Sequence, residues 1–305
     1  MKFFLRLMIW NAVFYLVPAT TFSQINSAES QKINSNWKLM ASYLNDVVYY
    51  GRKDSIATPY FTPSLTYTDQ SGFYIGGSFS IYTGIGKKRI DMYAIDLGYD
   101  IDFNDYFSGS IYANKSFYND NSTAIKSDIN ASAGAIVSYD FSIVQLNASA
   151  DILFSQKSDI GFSLGLSREM NVGNGANGCT LTPSFATYFS TLHFYEGYTS
   201  KKSGKLLNRI NPNIKSIESI TTVDNAGMKL LDYEFSLNLD IEKETWGCFL
   251  YPNVALPKSP IYTTTRNTIK LNNGSQITSS YNSTPYSEKT LKPSFYVEAG
   301  LYLKF

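Results

Sequence analysis

Leu231, Asp232, Tyr233, Glu234, Phe235, Ser236, Leu237, Asn238, Leu239, Asp240, Ile241 and Glu242 alternate apolar and polar without a break. Successive side chains of a strand point to opposite faces, so this segment has one greasy face and one that carries Asp232, Glu234, Asp240 and Glu242. The same period runs through Tyr93 to Phe103, Ile129 to Phe141, Val144 to Phe154 and Phe295 to Phe305. These strands are about 10 to 15 residues long, where a globular strand is nearer 5 or 6. A strand that crosses a bilayer needs about 9 to 11 residues, and in lipid every backbone N–H and C=O must be paired, which a closed sheet achieves without leaving an edge. The pattern therefore predicts an all-β chain, a transmembrane antiparallel up-and-down β-barrel.

Twelve strands are expected, roughly 38 to 50, 58 to 68, 72 to 83, 89 to 103, 106 to 117, 125 to 141, 143 to 154, 159 to 171, 178 to 191, 229 to 243, 246 to 257 and 291 to 305. Their connections alternate. Those at Asp69 to Ser71, Asn104 to Asp105, Ser142, Val172 to Asn177 and Glu244 to Thr245 are short, and the two longest run from Leu192 to Met228 and from Pro257 to Thr290. Bacterial barrels have an even strand number, short periplasmic turns and longer external loops. Both termini are accordingly expected in the periplasm. Ten or fourteen strands are the alternatives.

Lys2 and Arg6 precede an apolar run from Leu7 to Val17, then Pro18 and the short stretch Ala19 to Ser23. This is the layout of a secretory signal peptide over residues 1–23, too short to span as a helix. A periplasmic segment over 24–37 and the barrel over 38–305 follow as expectations. Lys plus Arg number 26 against 25 Asp plus Glu, which leaves no basic face for nucleic acid. One His and two Cys cannot complete a Cys/His zinc site of four ligands. No cofactor is expected.

Glu298, Ala299, Gly300, Leu301, Tyr302, Leu303, Lys304 and Phe305 end the chain with a polar residue, a glycine, and apolar residues at alternate places up to a terminal aromatic. This tail resembles the C-terminal assembly signal of Gram-negative outer-membrane β-barrel proteins. The resemblance implies location in the outer membrane, contact with its lipid, and recognition of Gly300, Leu303 and Phe305 by the barrel-assembly machinery. The run Gly51, Arg52, Lys53, Asp54 with Pro59, Pro63 and Gly72 looks like a shared feature of such barrels, with no mechanism attached to it.

With the greasy faces turned to lipid, Asp96, Asp100, Asp102, Asp128, Asp140, Asp151, Asp232, Glu234, Asp240, Glu242 and Glu298 point to the lumen or its rims, and Lys304 is the chief inward base. Twelve strands tilted about 40° close at a backbone radius of roughly 12 Å, between filled small barrels and open porins. A narrow passive channel for small solutes is expected, favouring cations if the acidic wall governs. The alternatives are a non-conducting structural or surface-binding barrel and an outer-membrane hydrolase. For the last, His193 is the only His, and Ser190, three residues away on a strand, points to the other face, so no catalytic residue is assigned. Cys179 and Cys248 fall two strand spacings apart, about 9.5 Å, beyond disulfide reach, and are expected as free buried thiols. Lys201, Lys202, Lys205, Arg209 and Lys215 in the loop 192–228 are candidates for contact with the phosphates of lipopolysaccharide. Thr268 to Tyr281, centred on Asn272, Asn273, Gly274 and Ser275, is expected as a projecting hairpin.

Overall fold

A computed structural model describes residues 35–305 apart from 55, 87, 123, 125, 173–178, 197–213 and 284–290; the expected signal peptide over 1–23 and the expected periplasmic segment as far as 34 lie outside the described residues. The barrel strands are β1 (Asn36–Leu44), β2 (Tyr60–Thr68), β3 (Phe73–Tyr82), β4 (Arg89–Asp102), β5 (Phe107–Tyr118), β6 (Ala131–Asp140), β7 (Gln145–Phe154), β8 (Asp159–Ser167), β10 (Cys179–Ser190), β12 (Lys229–Glu242), β13 (Trp246–Pro257) and β16 (Ser294–Lys304). The short β9 (Met170–Val172) continues β8 along β10. Each barrel strand pairs antiparallel with the next, and β16 pairs with β1 from Lys38↔Lys304 to Leu44↔Glu298, so the sheet of twelve barrel strands has no edge. A second sheet, β11 (Ile214–Val223), β14 (Thr263–Leu271) and β15 (Gln276–Ser283), lies at the end with the long loops. The expected hairpin is β14–β15, turned at Leu271 to Ser275 with Gly274 at φ 85°. Strand β11 is an addition to the expectation, which read 192–228 as a loop.

Burial is inverted relative to a water-soluble sandwich. On β4, Tyr93, Ile95 and Leu97 are about half exposed, while Asp96 and Asp100 are 3% and 7% exposed. The greasy face looks outward to lipid and the polar face inward, as a closed membrane sheet requires. Aromatic rings gather at the rim that carries the short turns: Trp37 with Tyr67 at 5.0 Å, Phe103 with Phe107 at 4.8 Å, Tyr139 with Phe141 at 4.6 Å. Tyr43, Phe61, Tyr93, Phe117 and Phe295 are exposed toward the loop rim. Two such belts mark where acyl chains give way to headgroups.

Two strand ends and one bulge differ from expectation in ways that shape the lumen. β1 stops at Leu44 rather than 50, because Asn45 binds Val297 through its backbone N–H and its side-chain oxygen, and the chain then turns off the sheet. β6 begins at Ala131 rather than 125, because turns closed by Ser127 N–H to Ala124 and Ile129 N–H to Lys126 hold Ala124, Lys126, Ser127 and Ile129 inside. On β12, a bulge opposite Tyr188 and Phe189 leaves Leu231 unpaired, and this residue of the greasy face is fully buried inside the barrel.

Candidate functional site: the lumen and its stopper

The segment after β1 carries the apolar run Val47, Val48, Tyr49, Tyr50, which would continue a strand by pattern. Instead it enters the lumen. Tyr50 (φ 48°) and Gly51 (φ 71°) form a tight turn closed by reciprocal Tyr49 and Arg52 backbone hydrogen bonds of 2.7 and 3.0 Å. Positive φ at both central residues is the type I′ geometry. The two legs of the loop are joined by Asp46, which is buried, accepts the Thr58 N–H at 2.8 Å and pairs with Lys53 at 3.2 Å.

All four apolar residues of the run are buried. Val47 packs with Tyr60, Tyr82 and Ala124, and Val48 with Ala255 and Tyr296. Tyr49 meets Phe194 edge-on at 5.1 Å, and Tyr50 lies 5.9 Å from Tyr188 of β10. Their cluster includes Tyr112 of β5, Ile136 of β6, Leu153 of β7 and Leu231 of β12, so a loop that leaves β1 touches the opposite wall. Burying each such side chain contributes roughly 1.5–3 kcal/mol. Gly51 fits tightly, since a Cβ there would sit 3.0 Å from Asp232 Cβ and from Pro257. Arg52 donates to the Tyr50 carbonyl at 2.8 Å and to the Ser259 carbonyl, tying the loop to the chain that leaves β13.

Two further segments converge there. Between β5 and β6, Ser122, Ala124, Lys126 and Ile129 are buried. Asp91 on β4 anchors them: its carboxylate accepts Ser122 Oγ at 2.6 Å, Tyr60 Oη, and Arg89 Nε at 2.6 Å. After β10, Asp159 accepts Thr191 Oγ1 at 2.5 Å and the backbone N–H groups of His193 and Phe194 at 2.8 and 2.6 Å, capping a helical turn that presses Phe194 onto Tyr49.

Of the acids expected inside, Asp96, Asp100, Asp151, Asp232, Glu234 and Asp240 are buried on the inner face. Asn114 donates to Asp96 at 2.5 Å, and Tyr251 to Asp240 at 2.6 Å. Glu298 is partly buried on β16. Glu242 accepts Tyr302 Oη at 3.1 Å and pairs with Lys304. Asp102 is exposed at the turn rim, where Asp140 accepts the Ser142 N–H, and Asp128 is half-buried in the β5–β6 loop rather than on a strand. The inner wall is less purely acidic than expected. Lys38 is buried with its ammonium 3.7 Å from the centre of the Tyr302 ring, and Arg52 and Lys126 enter on loops. Parity on β1 could have placed Lys38; nothing local points Arg52 or Lys126 inward.

Of the basic loop residues, Lys201, Lys202, Lys205 and Arg209 lie outside the described residues, and Lys215 is exposed on β11. His193 stands 3.8 Å from Glu196, with Ser190 fully buried at the end of β10. Cys179 and Cys248 are free, but they are only partly buried, on the outward face on either side of Ile241, because their parity is that of Leu181 and Leu250. Leu303 and Phe305 face outward and are more than half exposed, and Gly300 lies under the Phe249 ring, where a Cβ would come within 2.5 Å of it.

No family model matches the sequence, and no curated protein matches it. Solved structures with a similar path include a porin (12% identity, covering 89% of this chain and 99% of that one, TM-score 0.29). Others are Salmonella typhi OmpF in complex with daunomycin (9%, 89% and 97%, 0.30) and the Acinetobacter baumannii outer-membrane channel DcaP (8%, 89% and 96%, 0.32). At these scores the architecture rests on the chain's own geometry. By its closed sheet and inverted burial, the chain is a twelve-stranded transmembrane β-barrel of the outer-membrane type.

Proposed function

We propose that the chain is an outer-membrane channel for small solutes that rests closed, with the loop after β1 as its stopper. The observation that carries this reading is the burial of Tyr49 and Tyr50 in the lumen, against the wall opposite the strand they follow. They belong to a loop, so they can leave without breaking a pairing between barrel strands. The passage beyond them favours cations, because Asp96, Asp100, Asp151, Asp232, Glu234 and Asp240 outnumber Lys38, Lys126 and Lys304 on the inner side. It is narrow, with Phe249 and Tyr302 packed on Met40, so the current expected is small.

Short turns share a rim with both ends of the barrel, and in bacterial barrels the short turns are periplasmic. That supports periplasmic termini and, with them, an external β11–β14–β15 sheet. Gly300, Leu303 and Phe305 are then available to the assembly machinery on the final strand.

Planar-bilayer recording tests the reading. The native protein should be silent or flicker briefly. A variant with residues 46–57 replaced by a short Gly-Ser linker should conduct steadily and prefer cations. A variant as silent as the native protein, or one that prefers anions, would overturn it. One observation favours a second reading, a surface-binding barrel: β15 is exposed at every position from Gln276 to Asn282.

A further inference from the structure

The outward positions of the twelve barrel strands are apolar, aromatic or small, and among the described residues they carry one charged side chain, Lys115. Parity fixes its direction. On β5, Tyr112, Asn114 and Ser116 are buried toward the lumen, while Ile111, Lys115 and Phe117 are exposed. Lys115 is in register with Ile95 on β4 and Ala131 on β6, both on the outward face. Its ammonium lies 5.4 Å from the centre of the Phe117 ring, and Phe117 pairs with Tyr93 in the belt at the loop rim.

An ammonium in hydrocarbon is costly, and the cost falls toward the headgroups, where a long side chain can reach out of the acyl layer. Lys115 stands one outward position inside the aromatic belt, within such reach. No carboxylate shares its face among the described residues, so the protein supplies no counter-charge there. We infer that Lys115 binds a phosphate of a phosphorylated glycolipid in the leaflet around the loop rim. An anionic oxygen at the level of the belt completes a charge-assisted hydrogen bond that the apolar wall cannot. Below Lys115 the wall is shallow. Ala113 pairs with Ala133, and Ala135 with Ala150, which leaves a smooth strip for an acyl chain beside the bulkier Leu97 and Ile152.

The choice of glycolipid rests on the orientation proposed above; the existence of a lipid phosphate at Lys115 does not, and neither depends on the stopper. Native mass spectrometry of the detergent-purified protein tests it, with bis-phosphorylated lipid A and phosphatidylglycerol supplied separately at equal concentration. The native protein should retain lipid A about fivefold more than Lys115→Gln, the factor one lysine near an anionic surface supplies. Lys115→Arg should behave as the native chain and Lys115→Met as the Gln variant, with heat-modifiable migration in gels showing that each is folded. Equal retention by native and Gln proteins would overturn the inference. A difference with phosphatidylglycerol alone would overturn the glycolipid and the orientation together, and a crosslink from Lys115 to a carboxylate of a second copy would replace the lipid with a protein contact.

Discussion

Val47 to Tyr50 close the loop end of the lumen with chain that belongs to no barrel strand, whereas Met40, Phe249, Tyr251 and Tyr302 narrow the turn end with side chains of the wall itself. The chemistry differs accordingly. The loop end is an aromatic cluster pinned by a few buried carboxylates, Asp46, Asp91 and Asp159, each of which gathers donors from separate segments. At the turn end, Lys38 and Lys304 lie against Tyr302 and Glu242, and Tyr251 against Asp240. A seal made from a loop can be withdrawn while the ladder of hydrogen bonds stays whole. A seal made from wall side chains can only be widened by moving rotamers.

Withdrawing the loop gives the largest effect. Beyond the current described above, the 46–57 replacement bares Tyr188, Phe194 and Leu231, so its urea midpoint should fall while the barrel still folds. The same replacement with Tyr302→Ala added should conduct more than the replacement alone, because the wall-borne narrowing is then relieved as well. If the second change adds nothing, the turn end is no barrier, and the contrast between the two ends fails.

The pins should be next. Asp91→Ala removes the shared acceptor of Arg89, Tyr60 and Ser122. Hydrogen bonds to a charged group are worth about 1.5–3 kcal/mol, and Arg89 is partly exposed, so a loss of about 2–4 kcal/mol is expected from equilibrium urea unfolding in detergent. Lys38→Met, at the other end, replaces a buried charge on an aromatic ring by a chain of similar volume. Such replacements are often close to neutral, and a change within about 1 kcal/mol is expected by the same measurement. Were Lys38→Met the more damaging of the two, the wall-borne seal would be the structural keystone.

The barrel was legible because its signal is local. Lipid outside and polar groups inside imprint a period of two on every crossing, and Tyr93 to Phe103 or Leu231 to Glu242 declares its faces alone. The stopper was not legible for the same reason. Val47 to Tyr50 follows β1 with an equally apolar composition and reads as more strand; what turns it inward is the Tyr50–Gly51 turn and partners such as Tyr188 and Phe194, more than a hundred residues away. Leu231 shows the limit within one strand, since a bulge moves an outward residue inside without altering the pattern. Strand β11, with Ile214, Ile217 and Ile220 spaced by three, lacks the regular alternation that marked the others.

The smallest effect belongs to the turn rim, outside the membrane. In the turn between β2 and β3, Asp69 accepts the Ser71 N–H at 2.8 Å and Ser35 Oγ at 3.2 Å, and Gly72 N–H closes on the Asp69 carbonyl at 3.0 Å. The Ser71 hydrogen bonds hold the Asp69 carboxyl below its ordinary value, because they favour the charged form. A lowered carboxylate stabilises the fold fully above its unfolded value of 3.8 and loses that contribution as pH falls through the lower folded value. Amide exchange at Ser71 and Gly72 should therefore accelerate, after correction for intrinsic rates, only when the pH drops below about the normal carboxylate range. In Asp69→Asn the acid step should vanish, while the stopper and the conductance stay as they were. An acid step that survives in Asp69→Asn would assign it to another carboxylate and remove this turn from the contrast between the two ends.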